Sequence, residues 1–510
     1  MVVFLVALLA ELLAAQRSRY NQQVTLRSVA RFLTQFLPAR VARPKGVRMN
    51  LTKSLLLASA ATLVVVAGAQ AADLPTKKGA PAAEYVKVCK VGDIAGFIIP
   101  GSDTCLKISG YVNAQIAMGN VSEERQVAYN YGTGENVYIT KPAKYVSDIG
   151  YYTRGQVNFD AVTNTAMGPL LAHIELQANA GDNRFDSTSG GAVLNAGYVQ
   201  WAGITAGKHG SFYDYLAGGD TWKDMFSPDH SGTPINLLAY TATFGGGFSA
   251  TISLEQNESV ANVNFPYIYT TYTFVYGASG SPLGVRAPDI VASLDVTQSW
   301  GGAHLAAVAH NVRLEYSGEA STDLDTWGYG VIGGVTFNLP MLSAGSKIAF
   351  QGAYAHGAIG YSGATSPAWG ETDQGFNTNG NGTYFPMADA IYTGDDKTNS
   401  WSLSNAWSVA AQLTWKVSPN FEIDPEIAYA SVDYGSAAAS NWYMSQKATA
   451  WWVGAVFDWS PVKNLDFAFD AIYESSHQDT PYEFSTYNPG QAYHNNSDGF
   501  NGRIHVVRSF

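Results

Sequence analysis

The chain has 510 residues, 14% of them charged and 13% aromatic, with 30 Tyr, 12 Trp, 51 Gly and a formal net charge of −11. This mixture suits many strands joined by tight turns more than a helical enzyme. Past the amino terminus no apolar run reaches the roughly 18 residues of a helical membrane span. The acid excess argues against nucleic acid as a partner, since a basic surface is missing.

Residues 1–48 hold eight basic residues and one acid, Glu11, which interrupts the apolar stretch 2–15. An export signal begins only at Met49: a short charged start with Lys53, an apolar core at 55–67 and the small-residue site Gly68-Ala-Gln-Ala71. Its core is too short to cross a bilayer, so residues 49–71 read as a secretory signal peptide cleaved after Ala71. Residues 1–48 then read as an upstream extension from a mis-assigned start. The codons of Lys45-Gly46 contain an AGG triplet where a ribosome-binding site for Met49 would lie. Loss of residues 1–71 takes away nine basic residues and one acid, leaving 21 Lys and Arg against 40 Asp and Glu, a formal net charge of −19.

Residues 72–104 read as a periplasmic arm ending in a clip. Positions 72–83 are small, Pro-containing and basic, which predicts an extended segment: either a plain leader or a tether to peptidoglycan through its basic groups. Cys89 and Cys105 are the two cysteines of the chain. Behind an export signal they predict one disulfide, worth about 3 kcal/mol through loop closure. They form no CxxC motif and have no nearby His, so neither redox nor metal chemistry is expected of them.

From Cys105 to the end, 105–510, alternating segments of about ten residues recur, the spacing of a transmembrane β-barrel. Arg154, Gln156, Asn158 and Asp160 alternate with Thr153, Val157 and Phe159, and Lys107 shares a face with Ser109, Tyr111 and Asn113. Trp407, Val409, Ala411, Leu413, Trp415 and Val417 share one face, and Trp451, Val453, Ala455, Phe457 and Trp459 repeat the pattern. Seven tight turns fall near 163–169, 201–204, 244–248, 300–303, 338–346, 417–421 and 459–464. Eight longer polar stretches fall near 120–147, 181–192, 208–235, 257–287, 316–326, 358–403, 434–448 and 476–498. Fifteen connections predict sixteen strands with both ends on the short-turn side. Aromatic residues at segment ends fit the two interfacial girdles of a lipid-embedded barrel. In the last segment Ile504, Val506 and Phe510 share one face and Arg503, His505 and Ser509 the other. Lipid cannot hydrogen-bond an open edge, so this segment must pair with the first strand, with Phe510 in a girdle. Arg508 falls on the outward face, tolerable beside an interface where its head can snorkel.

Gly328-Tyr-Gly330-Val-Ile-Gly333 matches a dinucleotide fingerprint in letters, but it continues as a strand rather than opening a helix. Strand glycines are the better reading, allowing close approach at a subunit contact. Glu422, Asp424 and Glu426 alternate along one strand, as a carboxylate row would on a lumen wall facing water. The nine His are scattered, and HExxH, G-x-S-x-G and Walker A motifs are absent, so no catalysis, metal or cofactor is expected.

Several stretches resemble the general porins of alphaproteobacterial outer membranes: Ala72-Asp-Leu-Pro75, Glu84-Tyr-Val-Lys-Val-Cys89, Ile99-Pro-Gly-Ser-Asp-Thr-Cys-Leu-Lys-Ile-Ser-Gly-Tyr-Val112, residues 201–215 (WAGITAGKHGSFYDY), residues 236–255 and Val507-Arg-Ser-Phe510. The resemblance implies a sixteen-stranded homotrimeric barrel for passive diffusion of small hydrophilic solutes and ions, set in outer-membrane lipid. It also implies insertion by the barrel-assembly machinery through the terminal strand. Its third long loop should fold inward and narrow the pore. In the hairpin count that loop is 208–235, with Lys208, Asp214, Asp220, Lys223, Asp224, Asp229 and His230. Phe212, Tyr213, Tyr215 and Trp222 are available to anchor it to the wall. Basic heads facing it would be Lys107, Arg154 and Arg503, so that acid and base set a field across the opening. A sugar- or anion-selective channel and a structural or adhesive barrel tethered to the cell wall are the alternatives. The outer loops, above all the Gly/Asn-rich stretch at 375–382, depart from the family.

Overall fold

The computed structural model describes residues 87–119, 123–130, 135–142, 149–181, 191–216, 234–257, 261–262, 269–270, 273–274, 280–282, 284–316, 323–364, 387–392, 401–435, 446–479 and 496–510. The expected extension, export signal and extended arm lie outside them, as do Asp220, Trp222, Lys223, Asp224, Asp229 and His230 of the third loop.

The first described element is a hairpin of Val88–Val91 with Ile94–Ile98, turned by Gly92 and Asp93. It meets the next strand through Phe97↔Leu106 and Ile98↔Cys105, and the Cys89–Cys105 disulfide ties the two together as expected.

Sixteen antiparallel strands follow: β1 (Cys105–Gly119), β2 (Ile149–Thr165), β3 (Gly168–Gly181), β4 (Val193–Trp201), β5 (Ile204–His209), β6 (Ile235–Gly245), β7 (Phe248–Glu255), β8 (Asp289–Gln298), β9 (Gly301–Tyr316), β10 (Leu324–Asn338), β11 (Lys347–His356), β12 (Asn405–Ser418), β13 (Phe421–Asp433), β14 (Lys447–Val462), β15 (Leu465–Gln478) and β16 (Asn496–Ser509). Each pairs with its neighbours in sequence. The sheet closes where β16 meets β1, in the register Ile504↔Ile116 and Ser509↔Tyr111. Phe510 completes the seam by exchanging backbone hydrogen bonds with Gly110.

All seven tight turns and all eight long connections fall where alternation and turn residues place them. The β14–β15 turn shows the local cause: Asn464 takes a left-handed φ of 63°, a conformation that Asn tolerates better than most residues. In β13, Pro425 offers no N–H. The β12–β13 ladder accordingly has a gap between Gln412↔Glu426 and Trp415↔Ile423.

The outward face is apolar with aromatic ends. Val331, Val409, Leu305, Leu294 and Ile252 are exposed at mid-strand. Toward the long loops lie the pairs Trp407–Tyr429, Trp451–Tyr473 and Tyr329–Tyr354. Toward the short turns lie Trp459–Phe467 and Trp300–Phe337, with Phe510 exposed beside them. An apolar band between two aromatic girdles is the lipid-facing surface of a membrane barrel. Arg508 points outward, and its guanidinium donates to the carbonyls of Asn464 and Ser509 at the short-turn rim, which keeps the charge out of hydrocarbon.

Candidate functional site

Strand alternation sends every second side chain into the lumen, and the functional surface is that inner wall with whatever the loops lay against it. On β1 to β4 the inward residues are polar and bonded across strands. Arg154 donates from Nε to Tyr152 Oη at 3.0 Å and Asn179 Oδ1 at 3.1 Å. Gln177 donates to Gln156 Oε1 at 2.9 Å, and Asn195 to Glu175 Oε1 at 2.6 Å. Lys107 takes its place in the same inward row, alternating with exposed Ile108.

Histidines pair with carboxylates along this wall. His173 Nδ1 lies 2.7 Å from Asp160, His304 Nδ1 2.7 Å from Asp295, and His310 Nδ1 2.9 Å from Asp289. On β15 and β16, Asp470 Oδ2 receives Arg503 Nε at 3.0 Å and lies 2.6 Å from His505 Nε2. Four of the histidines scattered through the sequence, His173, His304, His310 and His505, are thus gathered on one surface. The available signal was the parity of these four, each on the inward register of its strand, whereas His356 lies on the outward register beside Tyr329.

Elsewhere the inner wall is apolar, which sequence reasoning missed. Ile235, Leu237 and Ala239 of β6, and Val291, Val308 and Ile332 of β8 to β10, face inward and are buried. An open water-filled wall would not be built this way; side chains of the third long connection cover it. Phe212 packs on the β6 patch, and Tyr213, 0% exposed, packs on the other. The described start of that connection, 210–216, is bonded to inward-facing groups throughout. Ser211 Oγ and the Phe212 N–H donate to Glu255 at 2.6 and 3.1 Å. His304 Nε2 lies 3.0 Å from the Tyr213 carbonyl. Tyr215 Oη lies 2.6 Å from Thr336 Oγ1, and the Leu216 N–H donates to Gln351 Oε1 at 2.7 Å. Burial, with Asp214 beside it, pushes the Tyr213 phenol far above its ordinary range, so the hydroxyl stays a donor.

Two seats on β10 receive these rings. A Cβ on Gly334 would lie 2.1 Å from Tyr215 Cδ1, and one on Gly330 3.1 Å from Tyr213 Oη. Of the fingerprint-like glycines, Gly328 and Gly330 therefore face the inside of the barrel, while Gly333 shares the outward face of Tyr329 and Val331 beside Leu305.

Two expectations change. Lys208 belongs to β5, one residue inside its end, and alternates with exposed Ile204 on the outward side. Its Nζ donates to the Leu194 carbonyl at 3.2 Å, so it does not line the opening. Glu422, Asp424 and Glu426 do face inward, but they are 7%, 3% and 4% exposed rather than open to water. Lys416 pairs with Glu422, and Gln412 donates to Glu426, both from the adjoining strand β12. Among the described residues there is no cluster of His, Cys, Asp and Glu arranged to hold a metal ion.

A closed sixteen-strand barrel with a polar, charged inner wall and an aromatic-girdled outer one is a membrane pore by construction. The profile of the Porin subfamily matches residues 73–503. The chain belongs to the porin subfamily. Porin Omp2b of Brucella suis is 27% identical to this porin over 395 residues, 75% of this chain and 92% of that protein. Porin Omp2b of Brucella neotomae is 28% identical over 391 residues, with coverages of 75% and 92%. Among solved structures, the outer membrane channel DcaP of Acinetobacter baumannii superposes with a TM-score of 0.55 at 17% identity, covering 82% of this chain and all of that one, a likeness of fold. This porin is an outer-membrane β-barrel that serves as a diffusion channel.

Proposed function

We propose that this porin is a cation-preferring pore for small hydrophilic solutes, narrowed by its third long loop and assembled as a homotrimer. The carrying observation is the charge of the inner wall. Asp160, Glu175, Glu422, Asp424, Glu426, Asp458 and Asp470 face inward on β2, β3 and β13 to β15, against Lys107, Arg154, Lys416 and Arg503. These carboxylates outnumber the basic heads, and the excess sets a net negative field in a low-dielectric tube, which favours cations. That balance also speaks against an anion-selective row of basic heads. Solutes cross down their gradients without chemistry or a cofactor.

Narrowing by the third loop is supported by the contacts of 210–216, with Asp214 at its start and Asp220, Lys223, Asp224 and Asp229 as the further charges it would bring to the opening. Trimeric assembly rests on the resemblance to general porins. The same reading has residues 49–71 as the export signal, Met49 as the start, the terminal strand with Phe510 as the segment engaged by the assembly machinery, and the basic arm 72–83 as a peptidoglycan contact. Amino-terminal sequencing of the mature protein tests the first of these: a start at Ala72 is expected, and a mature start upstream of Met49 contradicts it.

Reversal potential across a planar bilayer under a tenfold KCl gradient tests the preference. The sign of a cation-selective pore is expected, and it should shrink as salt is raised and the wall charges are screened. Asp424→Asn with Asp458→Asn should move the potential toward zero. An anion-selective sign in the unaltered porin overturns the reading.

A further inference from the structure

We infer that the sixth long loop, between β11 and β12, is a second inward-folded wall of the pore, fastened to the third loop so that the two act as one unit. This goes beyond the third-loop constriction and depends on it only for its conductance readout. The described parts of the sixth loop are 357–364, 387–392 and 401–404, and the first two lie against the inner wall. Ile359 and Ile391, 1% and 3% exposed, pack on inward-facing Ala406, Ala428, Val432 and Trp452 of β12 to β14. A pore wall of alanine and valine makes sense only with an apolar cover.

One polar knot holds two described segments of the loop, 357–364 and 387–392, to the wall. Tyr361 Oη donates to Asp289 Oδ2 at 2.6 Å. The same carboxylate is bonded at 2.9 Å to His310 Nδ1, and His310 Nε2 lies 3.3 Å from Asp389 of the second segment. Asp389 Oδ1 in turn accepts the Ile359 N–H at 2.7 Å. One imidazole from β9 thus carries a carboxylate on each nitrogen and links the wall with both segments of the loop. Asp289, His310, Asp389 and Tyr361 are all buried, where satisfied networks of this kind specify a single arrangement.

The third loop joins this knot directly. Tyr213 Oη donates to the Tyr361 carbonyl at 2.9 Å, and the two rings meet edge to face with centroids 4.9 Å apart. Gly330 lies beneath both rings, and Ser408 Oγ donates to the Ser362 carbonyl at 2.6 Å. The two loops therefore share one seat on β8 to β11 and on the long-loop ends of β12 to β14. Solute is left the polar side of the lumen on β1 to β4, β15 and β16, and the carboxylates Glu422, Asp424, Glu426 and Asp458 nearer the short turns of β13 and β14. Residues of the sixth loop then determine pore size alongside those of the third.

The test combines thiol labelling with conductance in the full chain, whose two native cysteines are tied in a disulfide. Ala355→Cys puts a thiol on the inward face of β11, fully buried beneath the joined loops. Asn158→Cys puts one on the polar side. A membrane-impermeant maleimide should label Asn158→Cys at least about tenfold faster, since reactivity follows exposure. Adding Ile359→Asp and Ile391→Asp should bring Ala355→Cys labelling up toward that of Asn158→Cys. The same pair of substitutions should raise single-channel conductance, roughly 1.5-fold or more, as the lumen widens. Should that variant not form a heat-modifiable barrel, excision of residues 358–403 in favour of a short Gly-containing turn gives the same two readouts with every strand intact. Rapid labelling of Ala355→Cys in the otherwise unaltered chain overturns the inference, and so does a released loop that leaves either labelling or conductance unchanged. Neither readout depends on cation preference, so failure here and failure of the selectivity proposal are separable.

Discussion

At the scale of single residues, this porin places its smallest side chains where other residues must come close. Gly334 leaves the space that the Tyr215 ring fills, with no room for even a methyl group. Gly334→Val should therefore expel Tyr215, break its bond to Thr336 and overpack the seat by about 1–3 kcal/mol. The cost falls on the loop rather than on the ladder, because β10 keeps its backbone pairs. The expected outcome is a larger conductance with a nearly unchanged temperature for the heat-dependent gel shift of the barrel. The reverse pattern would mean that the glycine serves the strand and not the loop. Glu255 makes the complementary case, since it accepts from Ser211 and Phe212 where the third loop leaves β5. Glu255→Ala removes bonds to a carboxylate worth about 1.5–3 kcal/mol each, and limited proteolysis should then cut the third loop faster while the strands stay intact.

At the scale of elements, the amino-terminal hairpin is bound to the barrel by two backbone pairings and one disulfide across 16 residues. Cys89→Ser with Cys105→Ser should loosen it by up to about 3 kcal/mol. Protease should then cut within 87–104, with conductance as in the parent, because the sixteen strands close without the hairpin. Strand count, turn positions and the β16–β1 closure were legible because a period of two and turn residues such as Ser460-Pro-Val-Lys-Asn464 are local signals. The same period hides which inward positions are wet. Ile235 and Leu237 alternate as cleanly as Asn113 and Gln115, and only the distant Phe212 decides that the first pair is covered. Loops carry no period at all, so the inward fold of 357–364 left no trace in the sequence. Lys208 was misplaced by a boundary one or two residues out, and in a strand one residue exchanges lumen for lipid.

At the scale of the whole molecule, the sixteen strands pair neighbour to neighbour all the way round and close at β16 and β1, as a lipid-embedded sheet must. The outer face meets lipid with valine, leucine and aromatic girdles. The inner face is divided between an apolar part packed against loop residues and a polar part whose side chains bond across strands. On the function proposed above, this division makes the porin a filter rather than an open tube: the loops would set how much of the cross-section is left, and the carboxylates of β13 to β15 would act on what enters it. Single-channel recording of the refolded chain, residues 72–510, in a planar bilayer tests this most directly. Stepwise, long-lived openings that carry ions passively in both directions are predicted. Silent bilayers that contain correctly folded barrels would contradict the account.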